Sequence, residues 1–333
     1  MKPRFFAYLF LFMVVFLLME LLVRLLIFYG YNLGIINYYV FSSVVNSLRS
    51  FNKNVLLGDD KLVYKYAPNV DSKIINTEDH KYKIKTTDIG FGNIGFRDDG
   101  ISGEVFAVVV GDSFSACIGV DYEYCWVELL EKELGCDLVN MGVEGYSSIQ
   151  KLIILKDYAL KLNPKLIIFD INLTDPPDDF FFANNMKRPI PHPINRFYQK
   201  GIEGYLASYS LLKFFLDEIK GYNIGQKFRD YISKYGYGIT YTILSVEEAY
   251  NIASDFGIPF ILVLFHHIKP IIDFAEQKNI PFIDLQKNFE KKGLKNLYLP
   301  RDGHLNVQGN KATFEIIYDF LKDRGFDTCL RKS

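Results

Sequence analysis

Three short segments carry residue types that together can do acyl-transfer chemistry. Gly111-Asp112-Ser113-Phe114-Ser115 directly follows an apolar run at 104–110. A serine at the carboxyl end of a buried strand stands where open parallel sheets place their ligands, so Ser113 is a candidate nucleophile. Asn140-Met141-Gly142-Val143-Glu144-Gly145 follows a second apolar run at 137–141. Small residues there let backbone N–H groups approach a ligand closely, as an oxyanion hole needs. Asp302-Gly303-His304 comes just before the last helical stretch. A histidine with a carboxylate beside it is a general base with its orienter. Asp112 reads as structural, outside the chemistry. His266 and His267 follow a later strand, where packing is the plainer role and lining a pocket the other. Arg97 reads as a tie between the preceding segment and the core.

These residues need a rigid sheet to bring them together. Apolar runs of strand length fall at 104–110, 137–141, 165–171, 258–265 and 280–285, and helical stretches at 122–134, 147–162, 205–220, 242–256 and 307–323. Continuous apolar strands alternating with helices predict an α/β domain whose parallel sheet is covered on both faces, a three-layer sandwich of flavodoxin-like type. The segments at 60–97 alternate as short strands. Residues 31–100 form a membrane-proximal lead-in and 101–333 the catalytic domain, with an excursion at about 176–240. The excursion holds five prolines between Pro176 and Pro193 and the run Phe180–Phe182, which suits either a site cover or a packed surface segment.

The first thirty residues are of another kind. No charge interrupts 5–19, with Lys2 and Arg4 before it and Arg24 after. A bilayer core of about 30 Å needs about 20 helical residues, so this stretch predicts an uncleaved, membrane-spanning signal anchor. The basic start favours a cytoplasmic N-terminus and an extracytoplasmic body. Lysine and arginine total 38 against 39 acidic residues, a balance that excludes the electrostatic footprint of a nucleic-acid binder. The four cysteines fit no metal pattern; one disulfide of undetermined pairing, in an oxidising compartment, and buried free thiols both stay open. Gly90-Phe91-Gly92-Asn93-Ile94-Gly95 matches a dinucleotide fingerprint in letters only. No helix pattern follows it and no buried strand precedes it, so it reads as a glycine-rich turn.

With these blocks in order, the chain resembles the SGNH (GDSL-type) hydrolases over about 104–325. Gly111, Asp112 and Ser113 match the family's first block, Gly145 its second-block glycine, and Asp302 with His304 its last. The lead-in Asn93-Ile94-Gly95-Phe96-Arg97 and the short Asp-x-His spacing are similar to membrane-anchored members and to alginate O-acetylation-type proteins. The resemblance implies a membrane-anchored serine esterase or O-acyltransferase acting on glycan or lipid esters, with no metal or organic cofactor. It implies an oxyanion site built from the N–H groups of Ser113 and Gly145. The family's third block ends in Asn-Asp, whereas this chain has Asn172-Leu173-Thr174-Asp175. Thr174 therefore falls on the expected asparagine, and Asn172 is the other candidate donor. This altered block leaves open a catalytically silent glycan-binding or scaffold module partnering polysaccharide-assembly proteins.

Overall fold

Strands in this chain are written as unbroken apolar runs because both of their faces are covered. The computed structural model describes residues 8, 12–19, 21–22, 25, 55–71, 73–76, 81–185, 224–300 and 302–326. Five parallel strands form the sheet: β5 (Val105–Val110), β6 (Asp137–Asn140), β7 (Leu166–Ile171), β8 (Phe260–Leu264) and β9 (Phe282–Asp284). Their order is β6-β5-β7-β8-β9, the doubly wound, flavodoxin-like arrangement in which the first strand lies inside the second. Each of the five apolar runs yields one of these strands.

Side chains alternate between two cores, as the strand period of two requires. Val108, Val110, Ile167, Phe169, Leu262 and Leu264 enter one core with α2 (Ser148–Asp157), α4 (Ile224–Asp255) and α5 (Lys269–Gln277). Ala107, Val109, Leu166, Ile168, Ile261 and Val263 enter the other with α1 (Trp126–Leu134), α6 (Leu285–Lys291) and α7 (Val307–Lys322). Full burial of each such side chain contributes about 1.5–3 kcal/mol, so the sheet is a stiff platform for its loops.

The preceding segment contributes to the same body. β1 (Leu56–Asp59) pairs antiparallel with β2 (Val63–Tyr66), and β3 (Lys73–Asn76) with β4 (Lys81–Ile84). Tyr64, Tyr66, Ile84, Ile94 and Phe96 are buried in the core that takes Val108 and Val110. The lead-in is thus one wall of the sheet's core, which its alternating pattern alone does not reveal. The chain divides into two compact units, 1–53 with 190–229 and 54–189 with 230–333, and the sheet and the lead-in from residue 54 onward lie in the second.

At Gly90–Gly95 the Asp88 carboxylate accepts the N–H groups of Gly90, Phe91 and Gly92, and a bridge between Thr87 and Phe96 closes the turn. The excursion after β7 begins as a helix, α3 (Asp175–Asn185). Pro176 and Pro177 sit in its first turn, where missing N–H donors cost nothing. The proline-rich stretch 187–193, the predicted helix at 205–220, Cys329 and most of the predicted anchor lie outside the described residues. Among the described residues no helix is long and apolar enough to cross a membrane.

Candidate active site

The chain leaves β5 at Gly111 and turns sharply. A Cβ on Gly111 would come within 1.9 Å of Asp170 Oδ2, so only glycine lets this turn lie against β7. Successive carbonyls of the turn are each held. Asp112 O accepts the Ala116 N–H at 2.8 Å and Ser113 O the Ile118 N–H at 3.0 Å. Phe114 O takes Trp126 Nε1 at 3.1 Å and Ser115 O takes Asn140 Nδ2 at 2.8 Å. Arg97, fully buried, donates to Ala116 O at 2.6 Å and also to Cys117 O and Val120 O. It is thus the predicted tie, and what it ties is the turn carrying Ser113. A disulfide joins Cys117 to Cys125 at the far end of the same turn. Sequence spacing left this pairing open.

Asp112 faces inward. Its Oδ1 accepts the Phe114 N–H at 2.9 Å, fixing the residue after Ser113. Its Oδ2 meets Lys151 Nζ at 2.7 Å, and that ammonium also contacts Asp170 Oδ1 and Asp175 Oδ2, each at 2.8 Å. Lys151 is wholly buried on α2. Against the cost of that burial, the three carboxylates hold its ammonium well above the usual lysine range. Burial and then the charge of Asp112 push Asp170 up to about 6. Burial carries Asp175 well above the usual carboxylate range, against the opposing Lys151 charge. Neither Lys151 nor Asp170 was singled out by motif reasoning. The available signal is Lys151 beside the apolar Leu152, Ile154 and Leu155 on α2, with Asp112 just after β5 and Asp170 near the end of β7.

His304 lies on the turn that precedes α7. Gly303 takes φ 83°, a left-handed conformation that favours glycine, and this folds residues 302 and 304 toward each other. His304 Nδ1 is in close hydrogen-bond contact with Asp302 Oδ1. Burial alone would raise the Asp302 carboxyl, but the hydrogen bond and charge of His304 hold it below the usual range. The imidazole packs on Phe114, the neighbour of Ser113, with ring centroids 5.4 Å apart. His266 meets another edge of Phe114 at 5.6 Å. Its Nδ1 is buried with no partner among the described residues, and burial lowers its pKa. His267 pairs instead with Asp284 at 2.5 Å.

The loop after β6 reaches the same place. Gly142 packs so tightly that a Cβ would meet the Ala116 N at 2.4 Å. Gly145 is exposed at φ 72°. Among the described residues neither the Ser113 N–H nor the Gly145 N–H donates to a protein acceptor. Burial holds the intervening Glu144 carboxyl above its usual value, with His304 the largest opposing influence. No hydrogen bond joins Ser113 to His304 among the described residues.

The candidates for a third oxyanion donor are already engaged. Asn172 is buried, gives an amide hydrogen to Asp112 Oδ2, and accepts the Thr174 hydroxyl at 2.8 Å through Oδ1. Thr174 has one hydroxyl hydrogen, and it is spent on this local turn. Both residues thus brace Asp112 and the start of α3, and the Asn172 amide keeps a second hydrogen.

No family model matches the chain, and no curated protein does. Solved structures do resemble it. One is a member of the lipolytic G-D-S-L family from Veillonella parvula, at 14% identity and TM-score 0.40, covering 66% of this chain and 98% of that one. Another is a putative lipolytic G-D-S-L protein from Desulfitobacterium hafniense, at 15% and 0.40, covering 65% and 98%. A third is the psychrotrophic esterase EstA from Pseudoalteromonas, at 14% and 0.38, covering 66% and 97%. The functional reading rests on the residues of the site.

Proposed function

We propose that this protein is a serine esterase or O-acyltransferase of SGNH type. The observation that carries the reading is the packing of His304, bonded to Asp302, on the residue next to Ser113. In the reaction His304 Nε2 takes the Ser113 proton as Oγ attacks an ester carbonyl, while Asp302 keeps the imidazole oriented and stabilises its charged form. The N–H groups of Ser113 and Gly145 receive the oxyanion. The alcohol leaves with the proton held by His304, an acyl-Ser113 forms, and water or a sugar hydroxyl then collects the acyl group by the same relay in reverse. The acceptor alone separates hydrolysis from transfer.

Glycan or lipid acyl esters are the proposed substrates, and polysaccharide-assembly proteins the proposed partners. The uncharged stretch at 5–19 after Lys2 and Arg4 supports a membrane-anchored chain with its body outside the cytoplasm. The Cys117–Cys125 disulfide supports an oxidising compartment.

Turnover of a simple acetyl ester by the full-length protein tests the reading. Ser113→Ala and His304→Ala should each lower kcat by at least about 10³-fold without loss of fold. Equal, slow turnover by all three proteins favours the second reading, a silent glycan-binding module. The hydrogen bonds that Asn172 and Thr174 already make to Asp112 and to each other are the observation on its side.

A further inference from the structure

Two histidines follow β8, and they are used differently. His267 turns toward β9, where its backbone N–H donates to Gln286 at 2.9 Å and its imidazole pairs with Asp284 at 2.5 Å. His266 turns onto the edge of Phe114, with ring centroids 5.6 Å apart. The same phenyl ring carries His304 at 5.4 Å, so both imidazoles rest on the residue next to Ser113. The backbone fixes this place. Phe265 N–H donates to Ile171 O at 3.0 Å, which sets His266 at the carboxyl end of the sheet, where the Asn172 loop begins. In the strand order β6-β5-β7-β8-β9, the Gly145 loop leaves from one side of β5 and His266 from the other.

The imidazoles on Phe114 are equipped for different work. His304 Nδ1 is held by Asp302, which orients the ring as a base. The half-buried His266 has no such orienter. Its Nδ1 is sealed from solvent with no partner among the described residues, so the ring meets a ligand through Nε2. Burial, against the opposing charge of Asp112, lowers its pKa and favours the neutral ring. With nothing bonded to Nδ1, no tautomer is imposed, and Nε2 is free to donate or to accept. A hydroxyl, itself both donor and acceptor, satisfies either form. An alkyl chain in the same place desolvates the nitrogen and offers it nothing.

We propose that His266 is a specificity-determining residue of the Ser113 site, where its Nε2 hydrogen-bonds a substrate hydroxyl and so selects carbohydrate esters over lipid esters. The assignment rests on the acyl-transfer reading of that site and narrows it to one substrate class. A site that hydrogen-bonds a hydroxyl rejects the analogue lacking it, because its own polar group is then left unpaired.

The test compares two acetyl esters that differ in their alcohol, methyl 6-O-acetylglucoside and hexyl acetate, on the full-length protein. The parent should prefer the glucoside by at least about 10-fold in kcat/KM. His266→Phe keeps a ring on Phe114 and removes both nitrogens. It should lose about 10–100-fold on the glucoside, chiefly in KM, and stay within about 2-fold on hexyl acetate. His266→Gln, which again offers a donor and an acceptor, should recover part of the loss. An equal loss on both esters would make His266 a packing residue and overturn the proposal, as would no loss on either. A second readout is independent of turnover. In Ser113→Ala, the His266 imidazole NMR signals should shift with the acetylated glucoside and not with hexyl acetate. A parent that hydrolyses neither ester while the sugar still moves those signals overturns the esterase reading and leaves His266 as the sugar contact. Signals that the sugar does not move overturn the His266 assignment, whatever the turnover.

Discussion

Two trios of carboxylates lie in this domain, each with oxygens within 4.8 Å of one another. Asp112, Asp170 and Asp175 converge on the buried Lys151, which contacts all three at 2.7–2.8 Å. Among the described residues Asp99, Glu128 and Glu131 ion-pair only through Lys132, which is 60% exposed and touches one of them. The first trio carries its own buried cation and braces the turn that presents Ser113. The second has one exposed lysine at a single carboxylate and lines a cavity. Acidic density is thus a poor guide to role, and the position of the nearest ammonium is a better one.

The sharpest way to break this contrast is Lys151→Met. Removing the ammonium leaves three buried carboxylates uncompensated, and urea unfolding should show a loss of about 3–5 kcal/mol. Stability within about 0.5 kcal/mol of the parent would mean that the aspartates do not depend on the lysine.

Asp178, on α3 beside this trio, comes next and is read through pH. Burial and then the charge of Asp179 push its carboxyl up to about 7. Its unfolded value lies near 3.9, so between these limits the folded chain binds the extra proton and stability falls as pH rises. The contribution is fully favourable below about pH 4 and lost by about pH 7. Asp178→Asn should flatten that part of the profile by on the order of 4 kcal/mol at most. An unchanged slope would place the titration elsewhere.

Asn172→Ala removes the amide that holds Asp112 Oδ2 and the acceptor of the Thr174 hydroxyl, and should cost about 1–3 kcal/mol in thermal or urea unfolding. A loss of activity with no loss of stability would return Asn172 to the oxyanion. Smallest is Glu131→Gln. Burial pushes the Glu131 carboxyl up to about 8, so the amide removes little charge at neutral pH and still accepts the Leu138 N–H; stability should change by under about 1 kcal/mol, upward. A clear destabilisation would show that the second trio is already compensated.

Much of the fold is legible in the residues. The five strands announce themselves as apolar runs because both faces are buried, and the helix of 307–323 emerges as α7. The short helices Lys269–Gln277 and Leu285–Lys291 are not legible, because two or three turns give too little periodicity between neighbouring strands. The candidate site is readable where local spacing makes it. Ser113 follows its strand, and Asp302 and His304 share one glycine turn. It is not readable where partners are remote in sequence. Lys151 is 39 residues from Asp112, and Arg97 is 19 from the Ala116 carbonyl it holds. The mutual hydrogen bond of Asn172 and Thr174 is not legible for the opposite reason: two polar residues two apart engage each other locally, which no motif spacing announces.

The most direct test of the account is chemical. Full-length protein treated with a fluorophosphonate, then digested and mapped by mass spectrometry, should carry one phosphonyl adduct, on Ser113. The adduct should be absent from Ser113→Ala and slow to form in His304→Ala. A folded protein that takes no adduct, or takes it on another serine, would contradict Ser113 as the nucleophile.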